Sequence, residues 1–143
     1  MTGSRPFSLS MKVVIQDRTG RCLLLRRSRS STGNPGKWEF PGGKVEEGED
    51  FAAGLVREVA EETGLIISLE RVVGAAESEL PTRKVAYLIL QGRVESGNVR
   101  LSKEHEDYDW VTKSELGAVD IAPQFLSFAQ AYANEDSTQS GSD

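Results

Sequence analysis

The chain has 143 residues, of which 38% are hydrophobic and 27% charged, with a formal net charge of −5. That is a globular composition of one-domain size, and no apolar run is long enough to cross a bilayer. The acidic balance disfavours nucleic acid as a partner, because phosphate contacts need clustered Lys and Arg. The single cysteine, Cys22, and single histidine, His105, leave little material for a disulfide, a thiolate zinc cluster or a Ser-His-Asp triad.

Leu9 to Gln16 reads as a first strand. Asp17 to Gly20 reads as its turn and Cys22 to Arg26 as its hairpin partner. Ser28 to Lys37 is rich in Ser, Gly, Asn and Pro and reads as a loop. Trp38-Glu39-Phe40 is a short extended piece. Pro41-Gly42-Gly43 breaks the chain, and Lys44-Val45-Glu46 is a further short strand.

Asp50 to Thr63 is the strongest helix. Asp50 is its N-cap, Gly64 its C′ residue, and Phe51, Leu55 and Val59 form its apolar stripe. Leu65 to Ser68, Val72 to Glu77, Val85 to Gln91 and Tyr108 to Thr112 read as strands, with a turn at Pro81-Thr82-Arg83. Ser114 to Leu116 starts a helical turn. Pro123 to Tyr132 reads as a closing helix with Phe125, Leu126, Phe128 and Ala129 inward. Residues 134–143 read as a disordered tail, which leaves one domain over 1–133. The order of elements predicts a mixed sheet with helices on both faces, an α/β (α+β) arrangement. The N-terminal residues lack a leader-like apolar stretch, so the expected location is the cytoplasm.

The chemistry lies in residues 43–65, GKVEEGEDFAAGLVREVAEETGL. At about 100° per residue, Glu58 and Glu62 are nearly in line, and Glu61 borders the same helix face. Three converging carboxylates repel unless a cation joins them, and hard oxygen ligands suit Mg²⁺, with Mn²⁺ as substitute. Such a string on its own is ordinarily a solvated face. The frame around it sets it apart: Gly42-Gly43 before the helix, Glu49 and Arg57 to brace the loop, and Gly64 to end it.

That frame resembles the Nudix box. Gly43, Glu49, Arg57, Glu58, Val59, Glu61, Glu62, Gly64 and Leu65 occupy its fixed positions without departure. Trp38 to Lys44 and residues 104–111 are similar to the MutT-like branch. The resemblance implies a Nudix α/β/α sandwich around a mixed sheet. It implies metal ligation by Glu58, Glu61, Glu62 and the Gly42 carbonyl, and a late-loop glutamate, Glu104 or in its place Glu106, as ligand or base. The Glu49–Arg57 pair looks structural in that family.

The implied reaction is water attack on the diphosphate linkage of a nucleotide, with Glu61, Glu104 or Glu58 as the base. Arg26, Arg27 and Lys44 are candidates for substrate phosphate, and strand alternation lets one of the two arginines reach the site. The MutT-like lead-in favours a (deoxy)nucleoside triphosphate, giving a nucleoside monophosphate and pyrophosphate. The asparagine that reads oxidised guanine in MutT enzymes falls near Phe125 on a gapless count. An aromatic stacks on a base but lacks the amide's paired hydrogen bonds, which argues against strict 8-oxo-guanine selectivity.

Pro81, sixteen residues after Leu65, resembles the spacing in ADP-ribose pyrophosphatases, although Glu-Leu-Pro-Thr-Arg is also a good hairpin turn. ADP-ribose or a nucleotide sugar is therefore the alternative substrate, and a capped or triphosphorylated RNA end is the least favoured. A non-catalytic nucleotide sensor is the alternative of another class, and the intact glutamates argue against it. The Phe125/Phe128 helix and the strand edges leave a homodimer open.

Overall fold

The computed structural model describes residues 7–135. Strands β1 (Phe7–Gln16), β2 (Cys22–Arg27), β3 (Trp38–Glu39), β4 (Gly42–Lys44), β5 (Ile66–Glu79), β6 (Lys84–Ser96) and β7 (His105–Val111) form one sheet. Helix α1 (Phe51–Thr63) follows β4. Helix α2 (Leu126–Ala133) closes the described chain, after 3₁₀ turns at Lys113–Ala118 and Pro123–Phe125. The sheet is mixed: β1 runs parallel to β6, while every other strand pair is antiparallel. No helix among the described residues is long and apolar enough to cross a membrane.

The apolar run Met11 to Ile15 makes sense once both sheet faces are covered, because such a strand needs no polar alternation apart from Lys12. Met11, Val13 and Ile15 join Leu23, Leu25, Leu55 and Val59 on the α1 side. Val14 joins Cys22, Leu24, Phe40, Phe125, Phe128 and Tyr132 on the α2 side. The two cores with the sheet between them are the α/β/α sandwich expected from the sequence.

Strands β1 and β2 are in register at Gln16 and Cys22 and then part company. Beyond that point β1 pairs with β4, and β2 pairs with β3 and β7. Residues 38–44 fill the fork, and this places Gly42 and Gly43 beside Lys12 and Met11.

Four expectations need correction. The fourth strand is Gly42–Lys44 and not 44–46: the glycines read as a break are themselves paired to β1. Only glycine permits this at position 42, where φ is 130° and a Cβ would lie 2.1 Å from the Met11 carbonyl oxygen. The segments 65–68 and 72–77 are one strand, β5, whose register shifts at 66/67, 69/71 and 72/74 erase the period of two. The closing helix opens as a 3₁₀ turn, which changes the phase: Tyr132 is buried and Leu126 is 40% exposed. Phe51, expected on the α1 stripe, is 51% exposed, and Leu55 and Val59 carry that contact. Most of the expected C-terminal tail lies outside the described residues.

Candidate functional site

Helix α1 begins where the Asp50 carboxylate accepts a hydrogen bond from the Ala53 N–H at 3.1 Å. It ends at Gly64, in left-handed conformation, whose N–H reaches the Ala60 carbonyl. Glu58 and Glu62, one turn apart, look onto β4. The Gly42 N–H donates to Glu62 Oε1 at 2.9 Å. A Cβ on Gly43 would come within 3.3 Å of Glu58 Oε2, so that carboxylate lies close against the strand.

Glu61 turns the other way. Both of its oxygens lie 3.0 Å from Arg57 Nη1, and its side chain is 61% exposed. Arg57 also grips Glu49 with two parallel bonds, Nε to Oε2 at 2.8 Å and Nη2 to Oε1 at 3.1 Å. This fork pins the loop before α1 to the helix. Gly54 makes room for it, since a Cβ there would sit 2.7 Å from the Glu49 carboxyl carbon.

Glu104 arrives from the loop before β7, held by a hydrogen bond from the Ser28 N–H to its carbonyl at 3.0 Å. One ligand atom each of Glu62, Glu104 and His105 lie within 4.8 Å of one another. Glu62 and Glu104 border a cavity of about 290 Å³, whose wall also includes Lys12, Arg27, Glu39 and Gly42. Asn34, Tyr87 and Gln124 line it as well, and Asn34 Nδ2 donates to Gln124 Oε1 at 3.2 Å.

Of the remaining residues singled out from the sequence, Arg27 alone lines the cavity. Arg26 is not in the cavity wall: its guanidinium sits 5.6 Å from the Trp38 ring and pairs with Glu106 at 3.4 Å. Arg27 points to the cavity and donates to Glu39 Oε2 at 3.0 Å. Lys44 is exposed on a separate surface with Phe7, Leu9 and Val45. Phe125 is fully buried in the core, edge-on to Phe40 and Tyr87, so it has no open face for a base; its neighbour Gln124 lines the cavity instead.

Sequence reasoning missed the buried polar network behind the carboxylates. Glu39, 3% exposed, is met by Lys12 Nζ at 3.5 Å, Arg27 Nη1 at 3.0 Å and His105 Nε2 at 2.7 Å. Lys12 also donates to the Gly42 carbonyl at 3.3 Å. The signal was present: a lysine inside an apolar strand and a glutamate between Trp38 and Phe40 are buried charges, which persist only when partnered.

Electrostatics follows from this arrangement. Burial would raise the Glu39 carboxyl, but Lys12, His105 and Arg27 together outweigh it and hold the group down at about 2. Burial pushes Glu62 up to about 7, against the pull of Lys12, the Gly42 N–H and His105 and with a further push from Glu39. Burial also raises Glu58; Arg57 opposes this, and Glu61, Glu104 and Glu46 add to it. Glu58 and Glu62, held above their ordinary range, and Glu104, which lies close to Glu62, form a hard-oxygen donor set that fits a divalent cation.

The two buried glutamates act oppositely on stability. Glu62, raised from 4.5 to about 7, contributes stability that is full below pH 4.5 and is lost as pH rises through 7. Glu39, lowered to about 2, contributes stability present above pH 4.5 and lost as pH falls towards 2. A cation held by Glu62, as the resemblance implies, needs that carboxylate ionised, so apparent Mn²⁺ affinity should climb up to about tenfold per pH unit and level off above about 7. Thermal melts at pH 5.5, 6.5 and 7.5, with Mn²⁺ and with chelator, check this: the Mn²⁺-induced rise in Tm should grow across the series, and a constant rise would contradict it.

Known proteins share this architecture. The NUDIX domain model matches residues 6–132. A MutT-like protein of Streptomyces ambofaciens is 32% identical over 109 residues, 76% of this chain and 66% of that one, so this chain spans about two thirds of its length. The CTP pyrophosphohydrolase of Escherichia coli (strain K12) is 28% identical over 124 residues, 87% of this chain and 90% of that one. The crystal structure of a MutT protein from Methanosarcina mazei Go1 aligns with a TM-score of 0.84 at 34% identity, covering 94% of this chain and 99% of that one. With the box residues framing a carboxylate-lined cavity and the family match running almost end to end, this chain belongs to the Nudix hydrolase family, in its MutT-like branch.

Proposed function

We propose that the chain is a divalent-metal-dependent pyrophosphohydrolase that converts a nucleoside triphosphate to the monophosphate and pyrophosphate. One observation carries the reading: Glu62, bonded to the Gly42 N–H, lines a cavity whose wall also presents Gly43, Glu104, Lys12 and Arg27, and Glu58 lies against Gly43. Glu58, Glu62, Glu104 and the Gly42 carbonyl would hold Mg²⁺ or Mn²⁺, which when bound neutralises phosphate oxygens and acidifies water. Glu61 belongs to the same set only if it releases Arg57.

The chain's own groups do the rest. Arg27, fixed by Glu39, Ser31 and the Gly33 carbonyl, presents a rigid guanidinium to phosphate oxygens. Glu104 is the better placed base, because it lines the cavity and Glu61 is engaged by Arg57. In this scheme water attacks one phosphorus of the linkage, its proton passes to the carboxylate, and the bridging P–O bond breaks. Asn34 and Gln124 bring carboxamides to the cavity, and such groups can pair with a base edge where Phe125 cannot. The E. coli relative named for CTP makes a pyrimidine triphosphate the first substrate to try.

The test is a panel of CTP, dCTP, UTP, GTP, 8-oxo-dGTP, ADP-ribose and a UDP-sugar, assayed with Mg²⁺ and with chelator. Pyrophosphate release from a triphosphate, abolished by chelator, is expected. Cleavage of ADP-ribose or the UDP-sugar alone would replace the substrate, and tight nucleotide binding without turnover would replace the enzyme by a sensor.

A further inference from the structure

His105 is the only histidine in the chain, and its side chain is completely buried. Its Nε2 lies 2.7 Å from Glu39 Oε2. The Glu39 carboxyl, held by Lys12 and Arg27 as well, is ionised at neutral pH and can only accept, so Nε2 carries the proton. Nδ1 is buried with no hydrogen-bond partner, and in a neutral imidazole it is the nitrogen that keeps the lone pair. A buried polar atom left so costs about 1–3 kcal/mol unless something satisfies it.

That ring belongs to the cluster in which one ligand atom each of Glu62, Glu104 and His105 lie within 4.8 Å of one another. Ligands with bonds of about 2.1 Å stand at most about 4.2 Å apart, so a cation that joins all three draws these side chains together. A ligating histidine characteristically donates its other ring N–H to a carboxylate, which fixes the tautomer and raises the ligand's basicity. Glu39 stands where that carboxylate belongs.

We propose that His105 is a metal ligand: a ring nitrogen joins Glu62 and Glu104 on the catalytic cation, with Glu39 as the carboxylate that orients the imidazole. The inference deepens the metal-dependent reading above and rests on it. Its chemical consequence is selectivity. Imidazole suits transition ions such as Zn²⁺, Fe²⁺ and Ni²⁺, whereas Mg²⁺ favours oxygen and water and tolerates a nitrogen ligand least, so the site prefers the transition ions to a degree that a carboxylate-only site does not.

One histidine makes the spectroscopy unambiguous. Electron spin-echo envelope modulation of the tag-free, substrate-free chain loaded with one equivalent of Mn²⁺ should show imidazole ¹⁴N coupling. In His105→Asn that coupling should vanish, and Mn²⁺ affinity should fall at least about tenfold, the lower bound already seen for partners of ligands, while Mg²⁺ affinity changes less. Bound Mn²⁺ without imidazole coupling in the unaltered chain overturns the proposal, whether or not the variant folds. Equal losses of Mn²⁺ and Mg²⁺ affinity in a folded variant also overturn it. Because turnover is not the readout, chelator-sensitive pyrophosphate release without ¹⁴N coupling leaves the hydrolase reading standing and removes only the ligand.

Discussion

Glu62→Gln should abolish most activity and yet make the protein more stable. The amide keeps the shape of the side chain and an oxygen for the Gly42 N–H, so the contact between α1 and β4 survives. What is lost is the anion. Partners one shell away from a metal already cost 10–100-fold when removed, so with Glu62 holding the cation as proposed, its loss should lower kcat/KM by at least about 10²-fold. Stability moves the other way because the carboxylate sits 6% exposed with its pKa pushed up to about 7. At pH 8 the folded protein bears the cost of ionising it, and the uncharged amide removes a cost on the order of 1–3 kcal/mol. Steady-state kinetics and a melt in chelator at pH 8 check both halves. A lower Tm together with lower activity would mean that the variant harms packing and says nothing of the site.

The second large effect is expected at Gly42, where backbone geometry and chemistry coincide. Gly42→Ala places a methyl group 2.1 Å from the Met11 carbonyl oxygen at a φ of 130°. Neither the central strand β1 nor the short strand β4 can move without breaking the pairs at Ser10, Met11 and Lys12. The cost should be about 3 kcal/mol or more, a fall in Tm on the order of 10 °C for a chain of this size. The surviving folded fraction should also bind Mn²⁺ more weakly, because the Gly42 N–H holds Glu62 and the Gly42 carbonyl faces Lys12. The control is Gly20→Ala: Gly20 also has positive φ, 85°, but a Cβ there meets nothing within 4 Å. It should destabilise much less and leave Mn²⁺ binding unchanged; equal losses at the two positions would show that the close approach to Met11 is not what matters.

The parts of the site legible in the sequence are those that local geometry dictates. Helical spacing alone put Glu58 and Glu62 on one side of α1, and Asp50 and Gly64 marked its ends within the chain's own hydrogen bonds. The Glu49–Arg57 fork was legible because eight residues separate its members across one loop and one helix. The direction of Glu61 was not: Arg57, four residues earlier, draws it away from the cavity, and helix phase alone does not choose between an ion-pair partner and a metal.

Long-range pairings carried the rest. Lys12, Glu39 and His105 are far apart in the chain, and each looked like an isolated anomaly until the fork between β1 and β2 brought them together. Strand phase also decided what a gapless count does not. Arg27 faces the cavity and Arg26 the Trp38 ring, and the 3₁₀ turn at Pro123–Phe125 buries Phe125 while Gln124 lines the cavity. Helix α1 with its caps, the placing of its glutamates on one side and the Glu49–Arg57 brace were thus readable from the chain alone, since all of these are set by contacts within a few residues or by a simple period. Which buried charges pair, which carboxylate is raised and which lowered, and which side chains reach the cavity were settled by the folded sheet, because burial and distance between remote residues exist only after it has closed.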